Sequence, residues 1–251
     1  YNRHGRRDNK YKARIKILVH ELGAAEFTAQ VEEEFRVMER GGPEVAQAEL
    51  ARIAEYFAPP ALKERDEPSK ALSDARSADP ALELFAQHNL VPHKVRGHAA
   101  LIVSMKPIGK PPGDATADQM RVLADLAEQY SHDELRVTHM QNVVLPHVRL
   151  DDVPAIFERL LEAGLAEPNA ALITDIIACP GMDYCALATA RSIPIAEDIQ
   201  RVFADPARQA AIGKLSVKIS GCINACGHHH VGNIGILGLE RAGRENYQIT
   251  L

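Results

Sequence analysis

Apolar residues recur at helical spacing from Ile17 to Met38, with Phe27, Val31, Phe35 and Met38 on one stripe and Glu32, Glu33 and Glu34 left to solvent. Gly41-Gly42-Pro43 ends that pattern, and a second helical stretch is expected from Glu44 to Phe57. Pro59-Pro60 opens a charged, weakly apolar region to Pro80, which reads as a surface connection. The pattern then sharpens. Ala99 to Met105 reads as a buried strand, Pro107 to Asp114 as a Gly/Pro loop, and Asp118–Tyr130 as a helix capped by Thr116 with an apolar stripe of Met120, Leu123 and Ala127. Glu134–Leu145 alternates as one strand, and Val153–Ala163 is an amphipathic helix closed by Gly164. Further on, Ala171–Ala178 reads as an apolar strand, Cys185–Ala190 and Pro194–Phe203 as helices, and Leu215–Ser220 as another strand.

Three segments follow from these patterns: 1–90, rich in helix; 91–168, in βαβα order; and 169–251. A chain of 251 residues with 46% hydrophobic content can bury one large core or two modest ones. A net charge of −5 argues against a general nucleic-acid binder, and no apolar run reaches the roughly 18 residues of a membrane span. The first residues carry no signal-peptide pattern, and both ends read as cut, so the chain is expected to be a piece of a longer protein.

The chemistry concentrates in four cysteines, the only ones in the chain. Cys179 and Cys185 form a C-x5-C pair, Cys222 and Cys226 a C-x3-C pair, and 36 residues separate the inner two. Four thiolates on two short loops are the ligand count of a cubane iron–sulfur cluster or a tetrahedral zinc. Both spacings are wider than the C-x2-C usual in zinc ribbons, which ranks a cluster before zinc and two disulfides last. Thiolates kept free for metal place the chain in a reducing cytoplasm.

The flanks of the pairs are distinctive. Ile177-Ala178-Cys179, Tyr184-Cys185-Ala186-Leu187-Ala188 and Ser220-Gly221-Cys222-Ile223-Asn224-Ala225-Cys226-Gly227 resemble the cluster-binding signature of the siroheme-dependent sulfite and nitrite reductases. Leu135-Arg136-Val137-Thr138-His139-Met140-Gln141-Asn142 is similar to that family's Arg-(Ile/Val)-Thr-x-x-Gln-Asn motif, and Asn9 to Lys16 to its basic anion-site segment. The resemblance implies an α+β fold: a ferredoxin-like half-repeat over 91–168, followed by an α/β cluster-binding domain over 169–251. Residues 1–90 would then end the central domain that precedes them. It implies that Cys179, Cys185, Cys222 and Cys226 hold a [4Fe–4S] cluster and that Cys226 bridges to the siroheme iron. Arg136, Thr138, Gln141 and Asn142 would hold siroheme carboxylates and the cluster's surroundings. Arg14 and Lys16 would meet the substrate anion.

Physical reasons sit beside these implications. Residues two apart share a face on an extended chain, so Arg14 and Lys16 would point together, as would Arg136, Thr138 and Met140 on a strand. Fixed cations stabilise charge on oxygens being lost from an anion. The Asn224 amide can tune a sulfur or a propionate by hydrogen bonding. His228-His229-His230 reads as loop or carboxylate-facing histidine, and Val231–Leu239 does not open the helix that a dinucleotide loop needs. The expected reaction is six-electron reduction of sulfite to sulfide, with nitrite to ammonia as the alternative and ferredoxin or a flavoprotein as electron donor. Two further readings remain: an oxygenase of cobalamin biosynthesis with similar cofactors, and a non-catalytic iron–sulfur or zinc module.

Overall fold

The computed structural model describes residues 4–9, 13–39 and 45–251. Arg3, Lys10, Tyr11 and Lys12 of the basic segment, and the Gly41-Gly42-Pro43 break, lie outside the described residues. The chain divides into two compact units, Tyr1–Pro60 and Ala61–Leu251.

The first unit is helical: α1 spans Ile15–Leu22, α2 Ala24–Glu39 and α3 Gln47–Tyr56. The stripe expected to run unbroken from Ile17 is split at Gly23, whose φ of +82° ends α1 in a conformation that favours glycine. Arg14 is the extended residue before α1 and Lys16 lies in its first turn. The expectation that both lie on an extended chain is therefore corrected, and the period-two argument for a shared direction lapses.

The second unit carries two four-stranded sheets. Its first half comprises α4 (Lys70–Ala78), α5 (Pro80–Asn89), β1 (Leu90–Pro92), β2 (His98–Val103), α6 (Ala117–Tyr130), β3 (Arg136–Val137), β4 (Val143–Arg149) and α7 (Val153–Glu162). The strands are antiparallel in the order β1-β2-β4-β3. Helices α5, α6 and α7 cover them with Phe85, Leu126, Ile156 and Leu160, all fully buried against Leu101 and Leu145. Residues 70–78, read from sequence as surface connection, are instead a helix. Ser69 caps it and Leu72 anchors it in the same core, while Asp79 and Pro80 start the next helix.

Thr116 caps α6 in a full capping box with Gln119. Thr116→Ala removes the hydroxyl that accepts from the Gln119 N–H and should cost about 1 kcal/mol. For a unit of this size the melting temperature should fall by roughly 2–4 °C in a calorimetric scan.

A hydrogen-bonded chain of imidazoles lies on this sheet. Val95 N–H donates to His93 Nδ1 (2.9 Å), His93 Nε2 faces His147 Nδ1 (3.4 Å), and His147 Nε2 faces Glu134 Oε2 (3.2 Å). The Val95 donor leaves the His93 proton on Nε2, so His147 Nδ1 accepts and Nε2 donates. Burial pushes both imidazoles below the usual 6.5, and the pull of Glu134 on His147 only partly offsets it. Histidines with depressed folded pKa values bind protons first in the unfolded state. Stability should therefore be intact above about 6.5 and fall as pH drops through the lower folded values. Urea midpoints compared for wild type and His147→Gln at pH 7.5, 6 and 5 test this; an identical acid loss in both would refute it.

The second sheet contains β5 (Ile177–Ala178), β6 (Val217–Ser220), β7 (Ile234–Arg241) and β8 (Arg244–Thr250) in that order. β5, β6 and β7 are parallel, and β8 returns antiparallel. Between β5 and β6 run α8 (Gly181–Tyr184), α9 (Ile193–Val202) and α10 (Pro206–Ile212). Ile176, Ile219, Ala196 and Ile236 form this sheet's core. The strand expected over 171–178 is only its last two residues. Ala171 has a φ of +64° and the backbone turns through Asn169–Leu172 and Leu172–Asp175 hydrogen bonds. Among the described residues no helix is long and apolar enough to cross a membrane.

Candidate iron–sulfur and cofactor site

The two cysteine pairs leave the same end of one sheet. β5 and β6 are neighbouring parallel strands with Ala178 opposite Ile219, so Cys179 and Cys222 both follow the carboxyl ends of adjacent strands. The loops are stitched to each other. Cys179 N–H donates to Ile219 O (3.1 Å), Gly221 N–H donates to Cys179 Sγ (3.1 Å), and Thr189 and Ala190 both donate to Gly221 O (2.9 Å each). Glycine is required at this crossing: a Cβ on Gly221 would stand 2.5 Å from Ala190 O, and one on Gly227 2.0 Å from Ile219 O. Ser192 Oγ donates to Cys179 O and lies 3.5 Å from its sulfur.

The helix expected to open at Cys185 is corrected. The helical turn is α8, which ends before it, and Cys185 is an extended C-cap with φ −123° and ψ 114°. Gly181, at φ +60°, allows the chain to turn straight after Pro180, which moves the helical turn ahead of the second thiol. A polar brace holds this loop to β8. Arg191 faces Asp183 (3.3 Å) and Glu245 (3.2 Å), and Tyr247 Oη donates to Arg191 O (2.9 Å). Burial and the neighbouring Glu245 push the Tyr247 phenol up to about 12.

All four cysteines are free thiols; Cys222 is buried, Cys179 and Cys185 are half-buried, and Cys226 is exposed. Among the described residues no three His, Cys, Asp or Glu side chains stand close enough to hold a metal ion. The structure thus brings the two loops together without gathering the four sulfurs into a closed set. In type and number the donors fit a cluster; in placement they do not yet enclose one, and the Cys222–Cys226 loop, with its exposed end, is the part that would have to close.

Beside the loops lies a cleft of about 610 Å³. Thr138, Gln141, Asn142, Ala178, Pro180 and Tyr184 line it, with Met120, Leu123 and Val137 supplying apolar wall. The sequence motif therefore reaches the cysteine loop, but in a different way from the one expected. The single strand over 134–145 is a hairpin: β3 pairs with β4, with Arg136 opposite Val144, and the chain reverses over 138–142. Thr138 N–H donates to Asn142 O (2.9 Å), Thr138 Oγ1 bonds the Asn142 backbone, and Gln141 sits at φ +56°. Arg136, Thr138 and Met140 therefore do not share a strand face.

The side chains of the motif are largely committed within the protein. The Gln141 amide pairs both ways with the Ala178 backbone, Nε2 to O at 2.8 Å and N to Oε1 at 3.1 Å, directly before Cys179. Asn142 accepts from Met105 N–H (3.1 Å) and donates to Asp175 (3.1 Å). Arg136 is ion-paired to Glu134 and does not line the cleft. Burial opposes the ionised form of Glu134, yet Arg136 and His147 hold its carboxyl below the usual range. Among the described residues no Arg or Lys lines the cleft, so its described wall offers apolar surface and no cation for a carboxylate.

Asn224 is half-buried between the last two cysteines. After them His228 has a φ of +54°, and His229 Nδ1 is buried without a partner. Sequence reasoning missed Lys106 and Asp175, a buried ion pair at 2.5 Å behind the cysteine loop. The available signal was a lysine ending an apolar strand just before Pro107.

Two parallel-strand ends carrying paired thiols stand next to an antiparallel α+β half-domain and an apolar cleft. Residues 106–163 match the nitrite/sulfite reductase ferredoxin-like half domain, and residues 1–38 match the nitrite and sulphite reductase 4Fe-4S domain. The latter stretch contains no cysteine, and all four cysteines lie beyond both matched stretches. The chain is 26% identical over 248 residues to the chloroplastic ferredoxin–nitrite reductase of Arabidopsis thaliana, covering 96% of this chain and 35% of that protein. It is 30% identical over 151 residues to sulfite reductase [ferredoxin] 2 of Mycolicibacterium paratuberculosis, covering 55% of this chain and 26% of that one. Its fold is that of the Mycobacterium tuberculosis NirA protein, with a TM-score of 0.56 at 21% identity over 98% of this chain and 40% of that chain. The chain is similar to the nitrite and sulfite reductases along most of its length, and it spans about a third of the length of the curated relatives it matches.

Proposed function

We propose that the chain forms part of an enzyme that reduces a small oxyanion by six electrons, nitrite to ammonia, with ferredoxin as donor in a reducing cytoplasm. One observation carries the reading: two pairs of free thiols leave adjacent strand ends, tied by the Gly221 N–H to Cys179 Sγ bond, beside an apolar cleft. Sulfite was the narrow first expectation on sequence. Most of the relatives matched carry the name nitrite reductase, which moves the reading to nitrite, with sulfite second.

Cys179, Cys185, Cys222 and Cys226 would hold the [4Fe–4S] cluster, with Cys226 as the bridging thiolate. When bound, cluster and siroheme would relay the electrons that ferredoxin supplies and would provide an iron for the anion. The chain's own residues bind and orient. Arg14 and Lys16 hold the anion and stabilise charge on oxygens leaving as water. Both would relay protons through bound water. Arg136 is the cation closest in sequence to the cleft-lining motif and would turn from Glu134 to a siroheme carboxylate; Thr138, Gln141, Asn142 and Asn224 keep the cluster's surroundings in place.

A cleft without lining cations supports a second reading for this stretch alone: it takes up iron–sulfur and retains little siroheme. Reconstitution with iron, sulfide and siroheme, followed by nitrite and sulfite turnover with a chemical reductant, tests both. Faster nitrite turnover is expected of the protein when it holds both groups. Absence of any visible cluster band would end the reductase reading, and stoichiometric siroheme on residues 1–251 would end the second.

A further inference from the structure

Lys106 is a buried cation that the proposed chemistry does not use. Its side chain is fully buried, with Nζ 2.5 Å from Asp175 Oδ1, 3.2 Å from Asn142 Oδ1, and against the Met140 carbonyl. An ammonium has three N–H donors and no acceptor, so these three oxygens satisfy the charged form completely. Two of them, on Met140 and Asn142, flank Gln141, whose amide grips the Ala178 backbone from both sides. The third belongs to Asp175, whose other oxygen accepts from Ala171 N–H (2.8 Å) and which stands in the chain leading into Cys179. One cation thus ties together the turn that presents Gln141 and the segment that delivers the first thiol.

We infer that Lys106 is a positioning residue for Cys179, acting through the 138–142 turn and the Gln141 amide, which set the direction in which that thiol leaves β5. The consequence for a cluster rests on the reading of Cys179 as a ligand; the positioning itself belongs to the protein free of iron. A merely structural ion pair would loosen every cysteine alike when broken. A positioning link acts on Cys179 and spares Cys222, which hangs from β6.

Residue-resolved alkylation by iodoacetamide, read by mass spectrometry on the iron-free chain, separates these. Gln141→Leu removes the amide and leaves the ion pair in place; Lys106→Met removes the cation. Each should speed labelling of Cys179 about tenfold while Cys222 is unmoved, and the double variant should go no further, since both act through one link. Should Lys106→Met alone fail to fold, Lys106→Met/Asp175→Leu, which buries no orphan charge, takes its place. Equal acceleration at Cys179 and Cys222, additive effects, or an unmoved Cys179 in Gln141→Leu overturns the inference. Loading wild type and Gln141→Leu with iron and sulfide adds an independent readout, an altered cluster EPR spectrum in the variant. If wild type takes up no cluster while Cys179 responds as described, the reductase reading fails and the positioning stands; a normal cluster with an unresponsive Cys179 means the reverse.

Discussion

Cys222→Ala should abolish the visible absorption that wild type gains on anaerobic reconstitution with iron and sulfide. The argument is one of geometry and count. Cys222 is the one buried cysteine of the four, held directly after β6 while Cys226 stands exposed. In the proposed site it would be the pre-positioned ligand of the Cys222–Cys226 pair, and the exposed thiol would close onto what the buried one has bound. Changes to residues that only orient a ligand already lower metal affinity by about 10–100-fold, so loss of a buried ligand should exceed that range. Folding should survive, because the side chain removed is small and the loop is pinned by Gly221 and Gly227 rather than by the thiol. Far-ultraviolet circular dichroism controls for folding. Wild-type cluster content in a folded Cys222→Ala protein would show that the four cysteines do not form one site.

The family and the order of elements were legible because their signals are local. Cysteine spacing, the Thr116 cap, the apolar stripe of α6 and the strand leading to Met105 each sit within a few residues of one another. What was misread depended on the backbone leaving a regular path. Alternation over Glu134–Leu145 suits one strand, yet Thr138 and Gln141 reverse it into a hairpin, since a side-chain hydroxyl closing on its own backbone competes with strand extension. The same reversal aims Gln141 at Ala178, a contact 37 positions away that no periodicity encodes. Residues 70–78 looked polar because their helix buries little beyond Leu72. Lys106 was invisible for a related reason: its partners Asn142 and Asp175 are distant in sequence, and a lone lysine reads as surface until they converge on it.

That convergence makes Lys106→Met the substitution with the largest expected cost in stability. The methionine fills similar volume but leaves Asp175 and the Asn142 carbonyl oxygen buried without the cation. Removing one member of a buried pair typically costs about 3–5 kcal/mol, because the survivor keeps its desolvation penalty and loses its partner. Burial already draws the Lys106 ammonium below its usual pKa, with Asp175 pulling back, so the pair is held by its internal partners rather than by water. Replacing both members with apolar side chains, Lys106→Met/Asp175→Leu, removes the orphan charge and should recover much of the loss despite one more substitution. Ala171 N–H and Asn142 Nδ2 would still lack an acceptor, so recovery should be incomplete. Urea unfolding of wild type, Lys106→Met, Asp175→Leu and the double variant measures this directly. A double variant as unstable as the sum of its single substitutions would mean that the charges contribute independently and that the cation does not organise the turn behind Cys179.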